Sequence, residues 1–282
     1  MLIFKKVTDL QHYLNKQQAI IGFVPTMGAL HNGHISLIKE SKQKCSITVC
    51  SIFVNPTQFN DKKDFDKYPI TIEQDILQLE LAGCDVLFLP TVDEIYPDGI
   101  VIKKDYELGF IETVFEGAKR PGHFNGVCMV VERLLHIVNP NMLFLGQKDY
   151  QQCIVIKKLI ELMHKKNDIK VIICATERET TGLAMSSRNH RLDAISRDKA
   201  KIVYESFVAI KQYITPQNSK LLVDAAKHDI LNRGFTLIDY LSLANANTLE
   251  PVDVWDGKTD IVILFAGFIE GVRLIDNMIL TT

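Results

Sequence analysis

Through the first two thirds of the chain, short apolar runs alternate with stretches of helical spacing. Residues 19–25, AIIGFVP, are apolar without alternation and read as a buried strand. Beyond a polar turn, Ile35, Leu37 and Ile38, followed by the polar 39–42, read as a helix. A second strand is predicted over 47–54. Thr71 with Gln74 three residues later has the form of a capping box, and Ile72, Ile76 and Leu79 keep helical spacing up to Gly83. Residues 86–90 predict a third strand. Val127, Val130, Val131, Leu134, Leu135 and Val138 mark another helix. A strand at 142–145, a helix over 150–165 and a strand at 169–175 close the series.

Continuous apolar strands separated by helices indicate a parallel sheet covered on both faces. Ligands of such sheets bind beyond the carboxyl ends of the strands. Three segments that directly follow predicted strands therefore share one rim: 25–34, 55–59 and 146–152. The remainder changes character. Helices are predicted over 197–213 and 221–232, the latter ending before Gly234, with extended segments near 236–243, 261–265 and 273–277. The expected organisation is an α/β domain over 1–175 and a smaller C-terminal α+β domain over 176–282. No internal repeat or low-complexity segment interrupts it.

Composition narrows the class. The 282 residues are 47% hydrophobic and 23% charged, which suits one large or two modest globular domains. A net charge of −2 supplies no basic excess to attract nucleic acid. No apolar run approaches the roughly 20 residues that span a bilayer. At the N-terminus, Met-Leu-Ile-Phe-Lys-Lys places its charges after the apolar residues, unlike a signal peptide. None of the six cysteines falls in a C-x-x-C pair, so they read as reduced, buried small hydrophobes of a cytoplasmic enzyme. Trp255 reads as a packing residue, and Lys62-Lys63-Asp64 as a solvated loop or helix end.

The segment Pro25-Thr26-Met27-Gly28-Ala29-Leu30-His31-Asn32-Gly33-His34 carries the most chemistry. Gly28 and Gly33 permit close backbone approach, and the turn opens a helix whose first N–H groups and dipole favour an anion. His31 and His34 stand three apart, able to donate hydrogen bonds to phosphate oxygens. The same spacing fits capping or surface histidines, or a zinc pair, although no H-E-x-x-H glutamate and no third ligand accompany it. Later, Met185-Ser186-Ser187-Arg188-Asn189 combines two hydroxyls with a planar guanidinium fork, a set that suits a polyphosphate as well as an ordinary surface loop.

His31-Asn32-Gly33-His34 after a strand and a glycine turn resembles the H-x-G-H signature of the nucleotidyltransferase superfamily, and 185–189 resembles its second signature. Three more segments narrow the resemblance: FVNPTQF at 53–59, RPGHFNGV at 120–127 and GQKDYQQ at 146–152. With 25–38 and 182–189 they occur in the order and approximate spacing of the pantothenate synthetase family, over essentially the whole chain. That resemblance implies a Rossmann-like ATP- and pantoate-binding domain with a C-terminal lid domain, in a homodimer. It implies an ATP-dependent ligase joining pantoate to β-alanine through a pantoyl adenylate, with Mg²⁺ arriving on ATP.

By the same resemblance His31, His34, Lys148 and Arg188 are the catalytic set. Pro25, Thr26, Met27, Gly28 and Gly33, then Gly146 and Asp149, then Met185, Ser186 and Ser187 line the nucleotide. Gln58 and Gln152 hold the acid, Asn55 shapes its pocket, and Arg120 and His123 support it. No protein ligand of the metal is assigned. One departure is Glu177, in Ala175-Thr176-Glu177-Arg178-Glu179, where the family commonly has an apolar residue. Two rivals remain at this level: a nucleotidyltransferase that builds a dinucleotide cofactor, and a binding protein without catalysis.

Overall fold

The computed structural model describes residues 1–58, 65, 68–100 and 105–281. Phe59 and the charged run at 62–64 lie outside the described residues. Two compact units are formed, Met1–Gly146 with Gln152–Ala175, and Gln147–Gln151 with Thr176–Thr282.

The first unit holds a six-stranded sheet: β1 Leu2–Phe4, β2 Ile21–Thr26, β3 Ile47–Ile52, β4 Val86–Phe88, β5 Met142–Gly146 and β6 Lys170–Cys174. Their order is β1-β4-β3-β2-β5-β6, with every neighbouring pair parallel. The connecting helices are α1 Val7–Leu14, α2 Asn32–Lys44, α3 Ile72–Leu81, α4 Val92–Ile95, α5 Phe115–Lys119, α6 His123–Val138 and α7 Tyr150–Leu162. The strands lack alternation because both faces are covered. Phe23, Val49, Phe88 and Leu143 join one buried cluster with Leu134 and Leu135 of α6. Val24, Cys50, Leu87 and Phe144, one residue out of phase, join another with Ile38 of α2 and Leu79 of α3. Chain order reverses between β2 and β5, so the topological switch point falls at the carboxyl ends of those two strands. The parallel α/β class expected from periodicity is what the chain forms.

The second unit packs α8 Ala194–Ala200, α9 Ile202–Tyr213 and α10 Ser219–Asn232 with an antiparallel sheet. Its strands are β7 Leu237–Asn245, β8 Pro251–Val252, β9 Ile261–Ile269 and β10 Val272–Ile279, in the order β10-β9-β7-β8. Phe207, Ile210 and Ile230 meet Leu241, Ile263 and Phe265 in its core, where Phe235 stands edge-on to Phe265 at 5.3 Å. Trp255 packs against this cluster, its indole N–H donating to Thr259 O at 2.9 Å.

Three details differ from the sequence reading. The helix expected over 197–213 is two helices, because at Lys201 the ladder slips to an i−3 bond, Lys201 N–H to Asp198 O at 3.4 Å. The capping box at Thr71 does not form: the Thr71 hydroxyl donates to Asp75, one turn on, at 3.1 Å. β1 and the eight-residue α1 were not anticipated; the three residues of β1 are too few to show a period. All six cysteines are free, and burial pushes the thiols of Cys84 and Cys174 up to about 11, which keeps them protonated. Among the described residues no helix is long and apolar enough to cross a membrane.

Candidate active site

The glycine turn leaves β2 at Thr26, whose hydroxyl donates to Ser51 O at 2.7 Å and accepts from Gly28 N at 3.2 Å. Gly28 and Ala29 both adopt left-handed backbone, with φ of 79° and 50°. A side chain at Gly28 would stand 3.0 Å from Asp75 Oδ2, so glycine is required there for conformation and for space. The buried Asp75 carboxylate accepts from Ala29 N at 2.9 Å and Leu30 N at 2.8 Å. Sequence reading missed this residue. An aspartate in a helical pattern looks solvated until the tertiary fold buries it.

His31 is the N-cap of α2 and His34 its third helical residue. His31 Nδ1 accepts from Gly33 N at 3.1 Å, and His34 Nδ1 accepts from His31 N at 3.3 Å. The helix start thus carries a reciprocal capping box built from two imidazoles, with ring centroids 4.1 Å apart. Several amides expected to face an anion are already engaged within the turn. The same capping bonds also place the protons of the two rings. An Nδ1 that accepts a backbone N–H carries no proton, so the proton of the neutral ring sits on Nε2. Capping therefore fixes both histidines as Nε2–H donors.

Asn55, 1% exposed, is the hub of the second segment. Its Oδ1 accepts from Thr57 Oγ1 at 3.0 Å and Tyr96 Oη at 2.9 Å, while Nδ2 donates to Gln58 Oε1 and Gly126 O, each at 3.2 Å. The Gln58 amide N–H in turn donates toward the Met27 sulfur, which joins this segment to the glycine turn. The carbonyl of Gln58 is clamped from the first residue of α6 and the turn before it. His123 Nδ1 donates to it at 2.8 Å, and Arg120 Nη2 at 3.4 Å. A carbonyl can only accept, so His123 is the Nδ1–H tautomer, and its Nε2 accepts from Arg120 Nη1 at 3.1 Å. Arg120 and His123 thus hold the backbone of Gln58 itself. Gln152 is half-buried in the first turn of α7.

Gly146 ends β5 in the first unit. In the second, Lys148 sits in a single 3₁₀ turn over Gln147–Asp149, its ammonium 3.5 Å from Asp149. Met185, Ser186, Ser187 and Arg188 are half-buried. Ser186 Oγ caps the 3₁₀ turn Ser187–Arg191 by accepting from Arg188 N at 3.2 Å. Below that turn, Asn189 donates to Glu179 at 2.8 Å and to Ala184 O at 3.0 Å, and Arg197 grips Glu179 with two bonds of 2.8 and 2.7 Å. Glu177 contributes its backbone carbonyl to Met185 N at 2.9 Å, a contact indifferent to its side chain.

A profile of the family "Pantoate-beta-alanine ligase" matches residues 2–279. A pantothenate synthetase of Cytophaga hutchinsonii is 45% identical over 92% of this chain and 91% of its own. One from Caldicellulosiruptor saccharolyticus is 41% identical over 97% and 96%. The crystal structure of the Thermus thermophilus pantothenate synthetase superposes with a TM-score of 0.91 at 35% identity, covering all of both chains. That of the Francisella tularensis ligase, solved with beta-gamma ATP and beta-alanine, gives 0.80 at 39% identity over 100% and 98%.

The fold and these likenesses define an α/β enzyme of the ligase class. The chain belongs to the pantoate–β-alanine ligase family.

Proposed function

We propose that the enzyme condenses (R)-pantoate with β-alanine, converting ATP to AMP and pyrophosphate, through a pantoyl-adenylate intermediate. The observation that carries this reading is the imidazole capping box, joined through Met27 to the Asn55–Gln58 hub. It provides two oriented Nε2–H donors and an anchored amide in one unit. The relative solved with beta-gamma ATP and beta-alanine supports the same substrate set.

The chemistry follows from the leaving group. A carboxylate is a poor acyl donor because its oxygen would depart as oxide. In the first step a pantoate oxygen attacks the α-phosphorus, the bond to the bridging oxygen breaks, and pyrophosphate leaves. In the second, the neutral amine of β-alanine attacks the acyl carbon, the bond to AMP breaks, and the amine gives up a proton. The protein's task is orientation and charge stabilisation, with no covalent nucleophile. His34 and His31 donate to the α-phosphate oxygens as negative charge grows on them. Lys148, Ser186, Ser187 and Arg188 hold the β- and γ-phosphates and the departing pyrophosphate. Gly28 and Gly33 keep the turn close to the nucleotide. Pro25, Thr26, Gly146, Asp149 and Met185 border it, and Gln58 and Gln152 bind the acid.

Mg²⁺ enters as part of the substrate MgATP, with phosphate and water as most of its ligands. The proposed setting is a cytoplasmic homodimer, to be measured by sedimentation. The decisive assay incubates the protein with ATP, Mg²⁺, pantoate and β-alanine and weighs the products by mass spectrometry, beside ATP–pyrophosphate exchange. Pantothenate, AMP and pantoate-dependent exchange are expected. Exchange that ignores pantoate would reject the reading.

A further inference from the structure

Arg178 and Glu179 are consecutive, and each reaches a different segment of the proposed phosphate machinery. Glu179 braces the 3₁₀ turn that carries Ser187 and Arg188, through Asn189. Arg178 takes another direction. Its guanidinium makes a two-pronged pair with Asp276 on β10, at 2.6 and 3.0 Å, and also donates to Asn277 O at 3.3 Å. It lies over the Tyr204 ring, 4.3 Å from the centroid. Asp276 Oδ1 accepts from Asn277 N at 2.8 Å. Asn277 then spends both hydrogens of its side-chain amide on two successive carbonyls, Gln147 O at 2.9 Å and Lys148 O at 2.8 Å. Gln147 Nε2 returns a bond to Asn277 Oδ1 at 3.2 Å.

We propose that Arg178, Asp276 and Asn277 are positioning residues that act through Lys148, fixing its backbone so that its ammonium meets the triphosphate. The proposal rests on the ligase reading above and assigns a part to three residues that reading leaves out.

Two magnitudes support position over bulk stability as the function of this relay. Asp276 and Asn277 are 7% and 2% exposed. A buried ion pair is about neutral against a well-packed apolar replacement, so stability alone gives little reason for one here. What the pair does supply is a fixed direction: a planar fork permits one geometry of the carboxylate, and the carboxylate sets the Asn277 backbone. The beneficiary is a short segment. A single 3₁₀ turn has few bonds of its own, and without the Asn277 amide two adjacent carbonyls would each lose a donor. Lysine is also the residue with most to gain, because its flexible stem adds to any freedom of the backbone beneath it.

The test is a double-mutant cycle on the full chain, read by MgATP affinity in calorimetry and by pantoate-dependent ATP–pyrophosphate exchange. Asn277→Ala should weaken MgATP binding or slow exchange about tenfold, within the usual coupling range of contacting residues, while the pantoate KM stays within about twofold. Placed on Lys148→Ala, the same substitution should change either readout by less than about twofold. A purely structural role predicts the full loss again on the Lys148→Ala background, and that result overturns the proposal, as does a loss below about twofold in the wild-type background. Arg178→Lys, which keeps the charge and removes the fork, repeats the cycle without opening a cavity beside Lys148. A wild-type chain that binds MgATP yet shows no pantoate-dependent exchange counts against the ligase reading alone, and the affinity arm still decides the relay.

Discussion

The two imidazoles at the start of α2 perform two tasks with opposite nitrogens. Nδ1 closes the helix end, and in the proposed chemistry Nε2–H donates to the α-phosphate. The tasks can be separated at position 34. His34→Ala removes both, so pantoate-dependent exchange should fall on the order of 100-fold or more, as when an oxyanion donor is deleted. Stability should fall by about 1 kcal/mol from the lost cap. His34→Gln restores an N3 acceptor for the capping box without the ring donor. Urea midpoints should recover with Gln while exchange stays low. Recovery of exchange with Gln would remove the ring from the chemistry. Gln58 has a simpler test. Its side chain is held between Asn55 and Met27, and Gln58→Ala should raise the pantoate KM or lower kcat with little change in MgATP affinity. An unaltered pantoate response would take Gln58 out of the site.

At the scale of elements, α6 and the turn at Pro56–Gln58 are locked together by a glycine. A Cβ at Gly126 would stand 2.3 Å from Thr57 O, a backbone atom that cannot swing away. Gly126→Ala should therefore push the Gln58 segment off its Arg120–His123 clamp. The pantoate KM should rise about tenfold or more, since sub-ångström to ångström misplacement is costly in a positioned site. A normal KM for this variant would mean that the contact yields without moving Gln58. This coupling shows what was legible and what was not. The motif RPGHFNGV marked Arg120 and His123 as relevant, and apolar periodicity placed α6 correctly from Val127 onward. That the two side chains grip the carbonyl of residue 58 is a tertiary fact, invisible to any local period. Thr71 is the converse case. Its pattern with Gln74 was a valid local signal, but the Thr71 backbone, at ψ 42°, is not the extended one such a cap uses, and its hydroxyl donates to Asp75. The part of Asp75 at the glycine turn gave no signal, because the backbone amides it holds there lie 45 and 46 residues away.

Across the whole molecule, each unit has its own buried core, and each carries part of the proposed machinery on short turns braced by buried polar groups. Apolar runs revealed the parallel sheet because they are local. The braces are not: Arg178 meets Asp276 after 98 intervening steps of sequence. Glu179 makes such a brace measurable through pH. Burial pushes its carboxyl up, but the Arg197 guanidinium and the Asn189 amide outweigh that and hold it below the ordinary value of 4.5. A carboxyl whose folded value is depressed stabilises the fold fully above its unfolded value, and the contribution disappears as pH falls through the folded one. Glu179→Gln, similar in size, should cost about 1–2 kcal/mol at about pH 7, where the wild-type group is ionised and gripped by Arg197. The gap should close as urea midpoints are taken down through the folded-state value of this carboxyl, because below it both chains carry a neutral side chain at this position. Because every other titrating group is common to the two chains, the difference isolates this one carboxyl. A gap of equal size at both ends of the range would show that Glu179 braces the Ser186–Arg188 turn by shape and not by charge.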